Sequence, residues 1–410
     1  MRTACFSFDQ LAIDRVELPQ HSLDLKTKTR TNLFPWRGQF SPELVDLLLS
    51  TYCTPGAIVL DPFAGVGTTL MEAARKQLSC FGTEVNPAAV AMAETVLFLG
   101  MNSQQRLRVL RRVHALISRE FPTDDGPLFG GAQQDIDIPY RLADMASRGE
   151  YGEAERSVLT NLLIRLCEVD NPTADAVLRA FRQHADIIEN LPHSTEKYVI
   201  SNSDARALPL VDSSVDLVVT SPPYINVFNY HQNNRRAMEL LGWDLLHVAK
   251  SEFGSNRKHR GNRFLTVIQY CLDMEATLLE LRRVMKRRGR AIFIVGRESC
   301  VRGVAFENGS LVGMLAEQCG FVVSLRQERK FKNKFGALIY EDLLHLTPVE
   351  NQHNEQSAAR QIAVDALSSR LSVGLKPEVA DDLRSAISQA SEVKQSPLYV
   401  STPGTRASVA

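Results

Sequence analysis

The sequence predicts an α/β protein: a doubly wound, Rossmann-like sheet carrying a helical insertion and a helical C-terminal extension. Three observations predict it. Residues 57–63 (AIVLDPF) form a short, continuously apolar run ending in Asp-Pro, as a strand buried on both faces reads. The run hands over at Gly65 and Gly67 to a helix, and a second strand follows at 79–86 with an acid, Glu84, at its end. From Lys197 the same alternation of strands and helices returns.

In chain order, residues 1–31 read as an N-terminal arm that ends in the basic, polar run Lys26–Thr31. Residues 32–99 form the first part of the sheet domain. They open on an aromatic loop and a helix across 33–50, with Ser41 as N-cap and Pro42 at the first helical position. Residues 100–196 change character. Helical apolar spacing covers 106–121, 154–169 and 175–191, with a Gly/Pro/Asp-rich loop at 121–137. This is the expected insertion. Residues 197–347 supply strands at 197–208, 215–224, 290–299, 321–330 and 337–346, with a helix at 272–288. Residues 348–410 are polar, suited to one or two amphipathic helices across 355–392 and then a loose Pro/Gly/Ser tail.

Composition narrows little. Lys+Arg and Asp+Glu both total 47, so global charge selects neither nucleic acid nor membrane as partner. The apolar runs are shorter than the roughly 18 residues a membrane span needs, and Met1–Phe8 lacks the pattern of a signal peptide. The seven cysteines are scattered without a CxxC pair, which speaks against a disulfide framework or a structural zinc and for a reducing, cytoplasmic setting.

Two segments carry chemistry. In Asp61-Pro62-Phe63-Ala64-Gly65-Val66-Gly67-Thr68-Thr69, the glycines let backbone approach a ligand, and the helix start offers unpaired N–H groups. Glu84, one strand on, can accept hydrogen bonds from both hydroxyls of a ribose. A dinucleotide site would read alike, as would a merely structural turn. However, Leu70 replaces the third fingerprint glycine, and no lysine follows to make a P-loop.

The second segment, Thr220-Ser221-Pro222-Pro223-Tyr224, follows an apolar strand at its carboxyl end, where ligands bind in such sheets. Two prolines stiffen the backbone and remove donors, leaving the Ser221 hydroxyl and carbonyls as acceptors. Such a corner suits a ring-conjugated amino group. Accepting both its hydrogens favours a pyramidal nitrogen with a usable lone pair, and Tyr224 can stack on an extruded base. A strand-ending turn with a buried tyrosine is the bland alternative.

Together these segments resemble the amino-methylating, S-adenosyl-L-methionine-dependent DNA methyltransferases, which modify N4 of cytosine or N6 of adenine. The resemblance covers roughly 32–99 and 197–346, with the cofactor motif preceding the catalytic one. It implies that Asp61, Phe63, Gly65, Gly67, Thr68, Thr69, Glu84, Asp204 and Phe40 serve S-adenosyl-L-methionine, with Asp204 at the adenine, and that Ser221, Pro222, Pro223 and Tyr224 are catalytic. Ser221 opening the tetrapeptide points to cytosine N4, with adenine N6 as the runner-up. Carbon-5 methylation needs a cysteine nucleophile, usually after proline, and no cysteine here follows one. The expected reaction is in-line methyl transfer, which calls for no metal. An RNA amino-methyltransferase and a catalytically silent DNA-binding module are further alternatives. The family also implies double-stranded DNA with a flipped base as substrate, and a separate restriction endonuclease as possible cognate.

Residues 225–347 carry 20 basic against 12 acidic side chains, whereas the expected insertion is mildly acidic. The excess gathers at Arg257–Arg263, Arg282–Arg290 and Arg329–Lys334. A helix end that favours cations is an equal account of the second. The expected DNA-binding residues are Asn233, Arg235, Arg236, Arg257, Lys258, Arg260, Arg263, Lys332 and Lys334.

Overall fold

The computed structural model describes residues 11–25, 30, 32–36, 38–39, 41–122, 137–225, 232–253, 259–332, 336–349, 357–371 and 374–401. Phe40, Arg257, Lys258 and Lys334 therefore lie outside the described residues.

Strands of three to twelve residues build the sheet: β1 (Val59–Asp61), β2 (Cys80–Thr83), β3 (Tyr198–Ser201), β4 (Val215–Thr220) and β5 (Met285–Gly296), the last apolar only from Ala291 to Val295. These five are parallel. A separate hairpin follows, β6 (Glu298–Val301) with β7 (Val304–Glu307), turning on Arg302 and Gly303 at positive φ. Then come β8 (Phe321–Lys332) and β9 (Leu338–Pro348), with β9 antiparallel to both β5 and β8. The spatial order is β3-β2-β1-β4-β5-β9-β8. The chain walks outward from β1 to β3 and returns to β4 beside β1. At such a reversal a crevice opens beyond the carboxyl ends of the two strands.

Successive strand residues point to opposite faces, and each face has its own core. Val59, Leu217, Val219, Ile292 and Ile294 pack with α2 (Pro42–Tyr52), α3 (Thr68–Arg75) and α4 (Pro87–Ala93). Leu60, Val218, Ala291, Phe293 and Val295 pack with helices that follow β4. The expected doubly wound sheet is what the chain forms.

Between β2 and β3 lie α5 (Ser103–Glu120), α6 (Ile138–Ser147), α7 (Glu153–Leu166) and α8 (Ala174–Glu189). Their apolar faces join the first core rather than a core of their own. Asn161 of α7 donates to the Ala91 carbonyl of α4, and the buried Arg106 donates to the carbonyls of Phe98, Ile188, Leu191 and Pro192. The first basic residue of the RLRVLRR segment is thus an internal staple. Helix α6 was not expected; Asp137 caps it and Pro139 sits in its first turn, just past the loop-like stretch.

After β4, α9 (Arg235–Leu240) and α10 (Leu245–Ser251) bury Ala237, Met238 and Val248 in the first core. The second face is covered by α11 (Leu265–Val284), α12 (Asn308–Gln318), α13 (Ala359–Ser368) and α14 (Pro377–Ser388). At the other end of the chain, Ile13 bridges Arg326 and the short helix α1 (Gln20–Asp24) contacts β8, so residues 11–25 cover the edge of the sheet. The composition predicts a loose tail after 392, but residues 393–401 pack: Gln395 and Ser396 bond to α11, and Tyr399 to the loop after β3. Val393 and Tyr399 are buried and polar hydrogen bonds add the rest of the hold, a mixture that apolar patterning cannot reveal. No helix among the described residues is long and apolar enough to cross a membrane.

Candidate active site

The two motif segments meet where the strand order reverses. Asp61 ends β1 beside β4 and is 1% exposed. Its carboxylate accepts hydrogen bonds from Thr69 Oγ1 at 2.6 Å, Thr220 Oγ1 at 2.7 Å and the Phe63 N–H at 3.1 Å. Burial raises its pKa to about 6 against the pull of those three donors. Asp61 and Thr69 are therefore braces. They tie the glycine turn to the end of β4 and do not themselves line the cavity beyond it.

That cavity has a volume of about 830 Å³ including its open mouth. Phe63, Gly65, Thr68, Glu84 and Asp204 line it together with Ser221 and Pro223. Gly65 holds φ +51° and lies under Trp36; a Cβ here would come 3.4 Å from Trp36 Nε1. Gly67 does not line the cavity. It starts α3 at φ +86°, with Ala93 only 3.1 Å from where a Cβ would stand. Its role is backbone conformation and helix packing.

Glu84 follows β2. Oε2 accepts the Gly65 N–H at 3.1 Å and Oε1 the Asn86 N–H at 2.8 Å, so each oxygen keeps acceptor capacity for a ligand. Burial lifts its pKa to about 7, against the two N–H bonds. Asp204 lines the cavity, but its carboxylate is engaged. Arg206 Nε and Nη2 donate to it at 2.9 and 2.7 Å, and the Tyr399 N–H at 2.9 Å. What Asp204 can offer a ligand is its backbone and the wall it stiffens.

Ser221 is half-buried, with Oγ 3.3 Å from the Tyr224 hydroxyl, and Pro222 is buried. The Tyr224 ring rests on Gly296 at the end of β5, where a Cβ would meet Tyr224 Cε2 at 3.1 Å. Among the described residues no three His, Cys, Asp or Glu side chains converge to hold a metal ion.

Sequence reasoning missed one wall. Ser251, Glu252 and Phe253 line the cavity from the end of α10, and Phe253 meets Phe63 edge-on at 5.2 Å between ring centres. Phe253 precedes the glycine- and arginine-rich sequence 254–263, and nothing local marks it as a wall. Gly296 was missed likewise, since it reads as an ordinary strand end.

The expected DNA-binding side chains divide by place. Arg260 and Arg263 are exposed just before α11, whose start lies at the carboxyl end of the sheet because the helix leads into β5. Lys332 ends β8 beyond the register of Gly296, Glu341 and Arg329, so it stands at that same end. Asn233, Arg235 and Arg236 precede or open α9, with Arg235 paired to Glu239 at 2.7 Å. By contrast Arg282–Arg290 lies at the amino end of β5, opposite the cavity. There Arg283 pairs with Glu280 and Asp212, and Lys286 with Asp216. Arg329 is buried and paired with Glu341.

Residues 19–95 match the N6/N4 family model described as DNA methylase. A type II methyltransferase, M.MjaII of Methanocaldococcus jannaschii, is 33% identical over 72 residues, 18% of this chain and 14% of the relative. The chain thus matches about one seventh of that relative's length. Among solved structures, a SAM-dependent methyltransferase from Methanosarcina mazei aligns over 74% of this chain and 97% of its own, at 12% identity and TM-score 0.34. TrmN from Thermus thermophilus aligns over 76% of this chain and 50% of its own, at 14% identity and TM-score 0.32.

Proposed function

We propose that the chain is a DNA amino-methyltransferase that moves a methyl group from S-adenosyl-L-methionine to the exocyclic N4 of cytosine. The observation that carries the proposal is the shared cavity: the glycine turn and the diproline corner line one space, tied together through Asp61. The DNA methylase match over residues 19–95 supports the reaction class and implies the methyl donor.

The cavity residues fit that donor. Glu84 presents two acceptor oxygens for ribose hydroxyls, Gly65 gives close backbone approach, and Phe63, Val85, Trp36 and Pro223 give an apolar lining. When bound, S-adenosyl-L-methionine supplies an electrophilic methyl on a sulfonium sulfur. Ser221 Oγ and the Pro222 carbonyl would accept the two hydrogens of the target amine and turn its lone pair toward the donor. Tyr224, seated on Gly296, would stack on the flipped base. The surplus proton leaves through Ser221 or water. Alignment of this kind can remove about 7–11 kcal/mol of barrier.

Serine at the head of the tetrapeptide supports cytosine over adenine. Arg260, Arg263 and Lys332, at the cavity end of the sheet, are proposed to hold DNA phosphates, and Asn233, Arg235 and Arg236 to act beside the target. The type II relative supports a place in a restriction–modification pair, and therefore in the cytoplasm.

Ser221→Ala and Tyr224→Ala test the catalytic assignment. Each should lower the turnover of methyl transfer at least about 100-fold, while calorimetry finds donor affinity within twofold or so of wild type. Turnover unchanged in both variants would remove the corner from the mechanism.

A further inference from the structure

The segment that closes the described chain takes no part in the transfer, yet its polar contacts lead to the cavity wall. The Arg206 guanidinium, 1% exposed, sits at the junction. Besides both oxygens of Asp204, it donates to Asp273 and to the carbonyls of Ser251, Ser396 and Pro397. Asp204 and Ser251 line the cavity; Ser396 and Pro397 belong to the tail. A second line runs through Tyr399. Its hydroxyl donates to Asn202 Oδ1 at 2.7 Å, and Asn202 Nδ2 donates to the carbonyls of Glu84 at 2.8 Å and Val85 at 3.1 Å. Burial raises the phenol to about 12, so it stays a donor. The Val400 N–H reaches His247 on α10 at 3.1 Å, and the His247 and Tyr399 rings lie 5.0 Å apart. Leu398 and Val400 are 49% and 69% exposed while the Tyr399 ring is buried in the first core, so one ring and a set of polar links fasten this segment.

We infer that residues 396–400 form a clasp on the donor cavity, and that Tyr399 is a positioning residue for Glu84, acting through Asn202. The inference rests on the proposed function, since it is Glu84's grip on the donor that the clasp serves. A tail that only completed a core would end in apolar contacts. Here the links end on the proposed ribose-binding strand end and on the α10 wall, the latter 153 residues back in the chain.

Tyr399→Phe in the full-length chain keeps the ring and the backbone bond to Asp204 and removes only the hydroxyl. Donor affinity measured by calorimetry should fall about three- to tenfold, the size of one lost hydrogen bond. The KM for the donor should rise in step with kcat unchanged, and the ligand-free melting midpoint should fall by no more than the loss of one buried hydrogen bond explains. In a Glu84→Gln background the same substitution should have little further effect, because the two residues act in series. A wild type that binds S-adenosyl-L-methionine beside a Tyr399→Phe variant that binds it equally well overturns the clasp alone, as do losses that add fully in the double variant. A wild type that does not bind S-adenosyl-L-methionine overturns the proposed function and the clasp with it.

Discussion

Glu84 holds two backbone N–H groups with one carboxylate and still offers acceptors to the cavity, yet burial keeps its pKa near 7. Hydroxyl donors from a ribose favour the ionised form, so donor binding and deprotonation are linked. The sign follows. Below about pH 7 the free site carries a proton that binding must expel, and affinity should weaken by up to about tenfold per pH unit. Above it, affinity should level off. Calorimetry at pH 6, 7 and 8 should show this slope in wild type, and Glu84→Gln should bind weakly with the slope removed. A wild-type affinity that is flat across the range would contradict the role. Asp61, with a pKa also raised by burial, does not offer such a readout, because its donors are Thr69, Thr220 and a backbone N–H.

At the scale of elements, the start of α3 depends on Gly67. Its φ of +86° is strained for any side chain, and Ala93 of α4 closes the space a Cβ would take. Gly67→Ala should cost at least about 1–2 kcal/mol from the backbone alone. That should appear as a lower urea midpoint; an unchanged midpoint would mean that α3 and α4 can move apart freely. The strands and the glycine turn were legible because their cues are local: a run of apolar residues, a Gly-x-Gly, an acid three residues before the next helix. The Ser221–Tyr224 corner was legible for the same reason. What stayed hidden depends on partners distant in sequence. Ser251–Phe253 becomes a wall only because Arg206 and the tail pin it. Gly296 matters only because Tyr224 lies on it, and Asp204 reads as a ligand-binding acid until Arg206 is seen to occupy it. Helix α6 hid behind a loop-like run, and the β6–β7 hairpin lacks an Asn-Gly turn.

Across the whole molecule, a neutral total conceals an uneven placement of charge. Among the described residues the basic side chains of 225–347 divide between the two ends of the sheet, and position relative to the cavity decides what each cluster can do. Replacing Arg260 and Arg263 together by glutamine should weaken DNA binding and flatten its log–log salt dependence by about one unit for each phosphate no longer neutralised. Arg288→Gln, at the amino end of β5, should leave the salt slope unchanged. Equal effects at both ends would mean that DNA does not approach from the cavity side. The cavity is proposed to join a sulfonium methyl donor to an exocyclic amine of DNA. This is tested most directly by incubating the chain with DNA and methyl-labelled S-adenosyl-L-methionine, digesting the DNA to nucleosides and identifying the labelled one by mass. The expected product is N4-methyldeoxycytidine. N6-methyldeoxyadenosine would move the target base within the same chemistry, whereas label on carbon 5 of cytosine, or none on DNA at all, would contradict the proposal.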